Sequence, residues 1–320
     1  MGAQPDVIVE MSRDLIERGS KSFASAARLL PRDIRNDAYM LYAWCRYCDD
    51  QIDDQDLGFA VTEARPGTPI ERLAELRDKT RRAIAGDADE PVFVALSRVT
   101  SRHAIPERHP LELLRGFEMD VEGRAYRTLD DTLEYCYHVA GVVGVMMAII
   151  MGVRDRETLN RASDLGLAFQ LTNIARDVMG DAQAGRIYLP SEMLERAGVP
   201  DRAEVIASAE HRRAVFGVTA ELLETADRYY RSALYGMGKL PLGAAVGIGA
   251  ARRIYRDIGR IVRARREEAW DRRAIVGRSR KVAGAISGAM AALRAHTVLK
   301  WGQPPPRDGL WTMPGLGEAS

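Results

Sequence analysis

The chain has 320 residues, of which 46% are hydrophobic and 28% charged; this composition is typical of a folded soluble protein and excludes a fibrous or disordered class. Its formal net charge of +1 gives no argument for nucleic acid as a partner. The longest uncharged run, residues 139–153, is shorter than the roughly 20 residues that a membrane-spanning helix needs, so any membrane contact is expected to be peripheral. Acidic residues at positions 6, 10 and 14 argue against a signal peptide.

Apolar residues recur at helical spacing along most of the chain, whereas the alternation typical of strands is hard to find. Pro31 precedes the third predicted helix, and Asp201 is a candidate N-cap of a long one. We predict a single all-α domain over residues 1–301, followed by a flexible tail, residues 302–320, that is rich in Pro and Gly. Around a loop at 55–68, the predicted helices span residues 5–18, 21–29, 33–54, 69–85, 91–104, 110–122, 129–152, 155–180, 201–236, 242–274 and 278–300.

Small residues interrupt the predicted helix at 129–152, among them Gly141, Gly144 and Gly152. Glycine inside a helix costs about 1 kcal/mol relative to alanine. Two explanations fit this composition. The small residues let neighbouring helices approach closely, or they leave room for a long apolar ligand.

The cysteines are Cys45, Cys48 and Cys136, an odd and small number that argues against a disulfide framework and fits a cytoplasmic protein. Cys45 and Cys48 form a CxxC pair. No strand precedes this pair, as a redox motif requires, and two further ligands for a structural zinc are missing. We therefore interpret them as small side chains packed in a helix.

The first acidic segment, residues 46–54 (RYCDDQIDD), carries four aspartates within six residues. Tyr42, Arg46, Asp49 and Asp53 recur at steps of four, three and four residues, so they share one face of a helix. Like charges at this spacing repel one another, and at the C-terminal end of a helix the macrodipole also disfavours them. Bound cations would relieve both effects.

The second acidic segment is residues 173–181 (NIARDVMGD). Oxygen donors recur there at steps of three, four and four residues along one helical face: Gln170, Asn173, Asp177 and Asp181. Hard divalent cations take oxygen ligands together with substrate phosphates, and an arginine beside each segment, Arg46 and Arg176, suits phosphate oxygens. Two such segments facing one cavity predict a metal and diphosphate site; the alternative is that the aspartates only pair with neighbouring arginines.

These motifs resemble those of the phytoene and squalene synthases. Residues 42–53 (YAWCRYCDDQID) resemble the first aspartate-rich motif of that family, and residues 170–190 (QLTNIARDVMGDAQAGRIYLP) resemble the second. Residues 20–23 (SKSF) resemble an early Ser-x-Ser-Phe segment, and residues 135–144 (YCYHVAGVVG) resemble the central tyrosine–glycine helix. The similarity covers roughly residues 13–300 in the expected order and is greatest to the bacterial phytoene synthases of the family.

The resemblance implies an all-α isoprenoid synthase fold and head-to-head condensation of two prenyl diphosphates. In the first half-reaction, one diphosphate ionises, the double bond of the other molecule attacks the allylic cation, and proton loss leaves a cyclopropyl diphosphate. In the second, this intermediate ionises, rearranges and loses a proton. The expected substrate is geranylgeranyl diphosphate and the expected product is phytoene, at the first committed step of carotenoid biosynthesis. Farnesyl diphosphate with a C30 product is the alternative.

The resemblance also implies roles for individual residues. The expected metal ligands are Asp49, Asp53, Asn173, Asp177 and Asp181. The expected catalytic residues are the same four aspartates with Tyr135 and Tyr255, although Tyr255 is equally interpretable as a core tyrosine. The expected diphosphate contacts are Ser20, Lys21, Ser22, Arg46, Gln170, Asn173, Arg176 and Arg272, the last by its spacing from Tyr255. The expected pocket wall is Phe23, Tyr42, Val139, Gly144 and Tyr188.

The expected cofactor is Mg²⁺ or Mn²⁺, two to three ions bound with the diphosphate. NADPH is not expected, because phytoene synthases, unlike squalene synthases, do not reduce the intermediate. The run GIGAAR at 247–252 ends in Arg and follows no strand, so it is a weak match to a dinucleotide-binding motif. Stimulation by ATP is not readable from sequence. The expected partners are the prenyl diphosphates and a downstream desaturase, without nucleic acid.

Charge is uneven, since residues 252–281 hold twelve Arg/Lys against four Asp/Glu. A charge run of this kind forms a solvated helix face, or it holds the protein to the inner face of the cell membrane, where an apolar C40 product must go. Two rival classes remain. A noncatalytic assembly relative should lack the aspartates, and a head-to-tail prenyltransferase or terpene cyclase should lack the pattern of residues 170–190.

Overall fold

The structure is a computed structural model that describes residues 6–56, 59–60, 65–299 and 304–315. The fold is all-α, as predicted, with one short antiparallel hairpin of Gln55–Asp56 (β1) and Phe59–Ala60 (β2) in the predicted loop. The helices are α1 (Val7–Gly19), α2 (Lys21–Ala27), α3 (Arg32–Ile52), α4 (Pro69–Ile84), α5 (Pro91–His103), α6 (Arg108–Val121), α7 (Leu129–Cys136), α8 (Val142–Ile150), α9 (Arg156–Gln183), α10 (Ser191–Arg196), α11 (Ala203–Ile206), α12 (Arg212–Gly236), α13 (Leu242–Arg265) and α14 (Arg278–Arg294).

Side-chain caps set where several helices begin. At α4, Thr68 and Glu71 form a capping box, in which each side chain accepts a hydrogen bond from the other residue's backbone N–H. At α9, the carboxylate of Asp155 accepts from the backbone N–H of Thr158 at 2.9 Å. Such caps satisfy the free N–H groups of the first helical turn and are each worth about 1 kcal/mol. The start of α9 is therefore set by its own sequence.

The predicted helix at 201–236 is wrong in its first third. The chain forms the short helix α11 there, and α12 begins only at Arg212, with His211 at its N-cap. Asp201 is therefore not the N-cap of a long helix, because the residues after it turn before the apolar pattern resumes.

The predicted helix at 242–274 ends early. Arg266 has a φ of 53°, in the left-handed region that side chains with a β-carbon disfavour, and a 3₁₀ turn, Arg266–Trp270, follows α13. This change of direction decides which of the following residues reach the centre of the protein.

α7 and α8 are joined by a π-helical turn, Tyr137–Gly141, into one apolar stretch. The stretch Leu129–Ile150 is long and apolar enough to cross a membrane. However, 67% of its most apolar 18-residue portion is buried inside the protein, as is usual for a core helix. A β-carbon at Gly144 would lie 2.4 Å from the carbonyl oxygen of Ala162 on α9. Close packing of helices is therefore one reason for the small residues of this segment.

α9 lies at the centre of the bundle, where α8, α12 and α13 pack against it. Fully buried side chains of α9 itself include Leu167, Leu171 and Ala175. A single cluster of buried apolar residues extends from Ile16 to Ala295. The central helix that carries the second acidic segment is thus held on several sides.

The expected flexible tail is wrong for its described part, residues 304–315. Arg307 donates two hydrogen bonds to the buried carboxylate of Asp164 on α9, at 2.9 and 2.6 Å. The backbone N–H of Trp311 donates to the hydroxyl of Tyr229 at 3.0 Å, and the carbonyl of Pro305 accepts from Arg161. Proline and glycine prevent helix formation here, but one arginine and one tryptophan are enough to anchor the segment.

Candidate active site

A long cavity lies between α2, α3, α6, α8, α9, α12 and α13. Most of its wall is apolar, and many of the side chains there are small. The small wall residues include Ala26, Ala27, Gly144, Ala148, Ala162, Gly166 and Gly247. The other predicted wall residues Phe23, Tyr42 and Val139 also line the cavity, so both explanations for the small residues at 129–152 apply together.

Charged and amide side chains gather in one region of this wall, here called the polar end. Its members are Arg46, Asp49, Asp53, Asp120, Gln170, Asn173 and Arg186. They come from α3, α6 and α9 and from the loop after α9. The two acidic segments therefore do meet across one space, with a third element between them.

The first acidic segment ends α3. Arg46 donates to the Asp49 carboxylate at 2.5 Å, and Asp50 lies 3.7 Å from the same guanidinium. Asp53 is the C-cap of α3 and accepts two hydrogen bonds from Arg186, at 2.5 and 3.2 Å. Arg46 of the first acidic segment therefore holds Asp49, and Arg186, which follows the second acidic segment, holds Asp53.

The second acidic segment presents amides to the cavity. The Asn173 side-chain N–H donates to the Gln170 carbonyl at 3.2 Å. Asp177 is held by its neighbour Arg176, with one bond of 2.9 Å, and lies 3.4 Å from Arg273. Asp181 lies one turn further along α9, beside Arg186.

Asp120 at the end of α6 is a site residue that the sequence analysis missed. It accepts hydrogen bonds from the hydroxyls of Tyr135, at 3.0 Å, and Tyr188, at 2.8 Å. The signal was its position: Leu113, Phe117 and Asp120 follow helical spacing and all line the cavity, so an acidic residue continues an apolar face. Tyr135 lines the cavity as well, whereas Tyr188 stacks on Tyr135 at 4.7 Å between ring centres and contributes from behind it.

Burial raises the pKa values of Asp49 and Asp120 at the polar end and of Asp181 beside Arg186. Burial among the helices, reinforced by Asp53, Asp50 and Asp120 and opposed by Arg46, raises the pKa of Asp49 to about 7. Burial raises the pKa of Asp120 to about 6, and burial with the charge of Asp177 raises that of Asp181 to about 7. In all three cases burial is the main cause, because it disfavours the charged form of a carboxyl group.

Two buried polar atoms at the polar end indicate which kinds of ligand fit there. Among the described residues, the Asn173 side-chain oxygen and the Arg46 Nε are buried without a hydrogen-bond partner. The first is an acceptor that suits a cation, and the second is a donor that suits an anion such as a phosphate oxygen.

The residues present also fit divalent metal ions in a particular way. In the described part of the chain, no three carboxylate, imidazole or thiolate groups form a ready-made metal site. Mg²⁺ in particular is usually bound by one or two carboxylates with water and substrate phosphates, which does not require such a group. The carboxylates of Asp49, Asp53 and Asp181 with the Asn173 oxygen fit ions that arrive with a diphosphate.

A family model described as squalene/phytoene synthase matches residues 16–280. The chain belongs to this family. Its relatives include the 15-cis-phytoene synthase of Pantoea ananas, 47% identical over 302 residues that cover 92% of this chain and 94% of the relative. The 15-cis-phytoene synthase of a Paracoccus species is 48% identical over 311 residues, which cover 96% of this chain and 98% of the relative. The crystal structure of a dehydrosqualene synthase with a ligand superposes with a TM-score of 0.78 at 27% identity, covering 88% of this chain and 95% of that one.

Membership makes this squalene/phytoene synthase a prenyltransferase that uses prenyl diphosphates, and enzymes of the family generally use a divalent metal. Both acidic motifs lie within the matched range. The resemblance deduced from four short motifs is confirmed at the level of the family.

Aromatic rings continue from the polar end along the wall. Phe23 and Phe169 line the cavity with their rings 6.2 Å apart. Tyr255 stacks on Phe169 at 4.2 Å and lies 5.3 Å from Phe23. Burial raises the pKa of Tyr255 to about 12, so its phenol stays neutral. Tyr255 therefore supports the wall from behind, as in its interpretation as a core tyrosine.

Some predicted diphosphate contacts are not brought to the cavity. The Ser20 hydroxyl caps α2 by accepting from the Phe23 backbone N–H. The side chains of Lys21 and Ser22 lie outside the described residues. Arg272 is exposed, and its backbone carbonyl accepts from Arg265, whereas the guanidinium of the next residue, Arg273, reaches Asp177. The arginine that lies beside the second acidic segment is thus Arg273, one residue after the one that the spacing from Tyr255 predicts.

Proposed function

We propose that this enzyme is a 15-cis-phytoene synthase that joins two geranylgeranyl diphosphates head to head and releases both diphosphates. One observation carries the proposal: a single cavity has a polar end of buried carboxylates with arginines, and the rest of its wall is mostly apolar and contains many small residues. The polar end suits a metal-bound diphosphate, and the remainder suits long hydrocarbon chains. The names of the bacterial relatives support the C20 substrate.

Departure of diphosphate breaks a C–O bond and leaves the electron pair on oxygen, so positive charge has to surround the leaving group. Mg²⁺ or Mn²⁺ held by the aspartates and Asn173 would supply Lewis-acid stabilisation of that group. Arg46 offers a buried Nε donor with no partner among the described residues. Arg186 lines the same end and is held by Asp53. Both arginines are positioned to donate hydrogen bonds to phosphate oxygens.

The allylic cation left behind needs protection from water and a surface of π electrons. The rings of Phe23 and Phe169 line the cavity, and a cation over a ring face gains about 0.5–2 kcal/mol. The double bond of the second molecule attacks this cation, and loss of a proton closes the cyclopropane. Repetition of ionisation at the same polar end, followed by rearrangement and a second proton loss, gives the hydrocarbon.

The alternative, a C30 product from farnesyl diphosphate, needs a direct test because the structure of a dehydrosqualene synthase shares this fold. Purified enzyme is incubated with geranylgeranyl or farnesyl diphosphate, with Mg²⁺ or Mn²⁺ and without NADPH, and the hydrocarbon is identified by mass spectrometry. We expect a C40 product from the C20 substrate with no need for NADPH; parallel reactions with ATP test for stimulation. Turnover of farnesyl diphosphate alone would reassign the substrate, and turnover of neither would overturn the proposal.

A further inference from the structure

The last long helix, α14, exposes its large apolar side chains. Val282, Ile286, Met290 and Leu293 are 63%, 61%, 68% and 59% exposed. They follow one another at steps of four, four and three residues, so they form one continuous face, here called the α14 stripe. At 1.5 Å per residue the stripe is about 16 Å long.

The opposite face of α14 is buried and consists of small residues. Gly284, Gly288 and Ala292 lie on it and face α13. A β-carbon on Gly288 would lie 2.5 Å from the backbone nitrogen of Ala250, and one on Gly249 would lie 2.8 Å from the Gly288 carbonyl. The two backbones are in direct contact, so α14 cannot rotate to bury its large side chains.

Single exposed apolar residues are ordinary, but a continuous exposed stripe is not. Val7 and Ile70 are as exposed as the α14 side chains, at 75% and 68%, and each is the only large apolar residue exposed on its own described helix. Four of the large exposed apolar side chains described in the structure lie on α14. This arrangement, small side chains inside and large ones outside, indicates a surface that is covered when the protein works.

The charged residues around the α14 stripe indicate which kind of partner covers it. Residues 278–294, which form α14, contain four Lys/Arg and no Asp/Glu. Arg280 and Arg294 are exposed near the two ends of the stripe. The region therefore carries an apolar face within an unbalanced positive field, which favours an anionic partner with an apolar interior.

The arginines of α13 do not contribute in the same way. Four of them are held by two aspartates: Arg253 and Arg260 by Asp257, and Arg256 and Arg263 by Asp227. These four guanidinium groups are held in ion pairs on the protein, so they are less available to a partner than the exposed Arg280 and Arg294 of α14.

We propose that the α14 stripe inserts into the surface of an anionic lipid bilayer and holds the enzyme there. An amphipathic helix with this pattern lies in the plane of the interface, with its apolar face among the upper acyl chains. A second copy of the chain fits less well. A two-fold interface would place the same basic face against itself, with no acidic residue in 278–294 to compensate.

The position of α14 also relates the bilayer to the cavity. One face of α13 lines the cavity with Gly247, Ile248 and Ala251, and another face of the same helix contacts α14. The two helices α13 and α14 therefore lie between the cavity and the docked face. In so far as this rests on the proposed function, the C40 product has a short route from the cavity into a solvent that dissolves it.

The test measures binding to vesicles of phosphatidylethanolamine and phosphatidylglycerol by flotation at low salt. The double variant Ile286→Ser/Met290→Ser removes the centre of the stripe, and Val7→Ser/Ile70→Ser removes two equally exposed apolar residues elsewhere. We expect the α14 variant to bind at least about tenfold more weakly and the control to bind like wild type. Equal binding of both variants overturns the proposal.

A second variant tests the charge. Arg280→Gln/Arg294→Gln is expected to weaken binding to anionic vesicles roughly tenfold or more, and wild type is expected to bind phosphatidylcholine vesicles poorly. Equal binding to the two vesicle types would contradict an anionic partner. Sedimentation velocity provides the other decisive result: a wild-type dimer that the stripe variant converts to monomer, without vesicle binding by either, would assign the stripe to a second copy.

Activity with detergent-dispersed substrate separates this proposal from the proposed function. Both α14 variants are expected to retain wild-type turnover under those conditions, because none of the α14 side chains that the structure describes lines the cavity. Lost vesicle binding with retained turnover supports docking. Turnover lost in the wild type as well would count against the proposed function and leave the vesicle result unaffected.

Discussion

The two acidic segments share one spacing in sequence but occupy different surroundings in the folded protein. On α3, Asp49 and Asp53 line the cavity, and the pKa of Asp49 is raised to about 7 by burial and by nearby carboxylates. On α9, amides line the cavity, while Asp177 is held by Arg176 and approached by Arg273. The α3 segment has one arginine of its own for four aspartates, whereas the α9 segment has one arginine for two aspartates and is also approached by Arg273. We infer that divalent metal ions are needed most at the α3 segment. At the α9 segment they take the place of the arginines beside Asp177.

The largest effect is expected at α3. Asp49→Asn removes a charge but keeps the shape, and we expect turnover to fall on the order of 10²–10³-fold, because the leaving diphosphate loses a metal ligand. Asp33→Asn, an exposed aspartate on the same helix, is the control and should keep full activity. Steady-state kinetics with helical circular dichroism measures both. Full turnover in Asp49→Asn would remove α3 from the site.

The residue that links the segments comes next. Arg186→Gln releases Asp53 and removes a donor at the polar end, so we expect kcat/KM to fall about tenfold to a hundredfold. The matched control is Arg196→Gln on α10, an exposed arginine paired with Glu221. Similar kinetics for the two variants would contradict a role for Arg186 in diphosphate binding.

A smaller effect separates two neighbouring arginines. Arg273 lies 3.4 Å from Asp177 but is 67% exposed, so Arg273→Gln should raise KM only severalfold. Arg272→Gln should leave KM unchanged, since the guanidinium of Arg272 is exposed away from the cavity wall. The reverse order of effects would restore the assignment made from sequence spacing.

The smallest effect is on stability. Because the folded pKa of Asp49 lies above its ordinary value of 3.8, folding favours its protonated form, and stability falls as pH rises towards about 7. In chelator, Asp49→Asn should therefore melt a few degrees above wild type near pH 8 and level with it near pH 4, where both side chains are neutral. Thermal unfolding followed by circular dichroism measures this. A variant that melts lower near pH 8 would show that the Asp49 charge stabilises the metal-free protein.

Sequence alone located both acidic segments because oxygen donors at helical spacing leave a pattern within one short stretch. It missed Asp120 for the opposite reason. Asp120 is a lone carboxylate on a separate helix, and its role depends on two tyrosine hydroxyls from α7 and from the loop after α9. Only the packing of α6 against these elements brings the three together.

The sequence analysis also did not predict where the backbone changes direction after α13. The helix pattern after residue 242 continues past Arg266, and nothing local in the sequence announces the left-handed residue that ends α13. The composition of 304–315 suggested disorder, but Arg307 finds the buried Asp164 and the segment becomes part of the structure.

The ion pair between Asp164 and Arg307 also constrains the order in which parts of the enzyme can fold. The partner of a carboxylate on the central helix is made 143 residues later, close to the end of the chain. Until Arg307 leaves the ribosome, that carboxylate is without this compensating charge, and its burial is costly. The final packing of α9 therefore waits for residues that are synthesised well after it, and a chain that stops before Arg307 should reach only an incompletely packed intermediate.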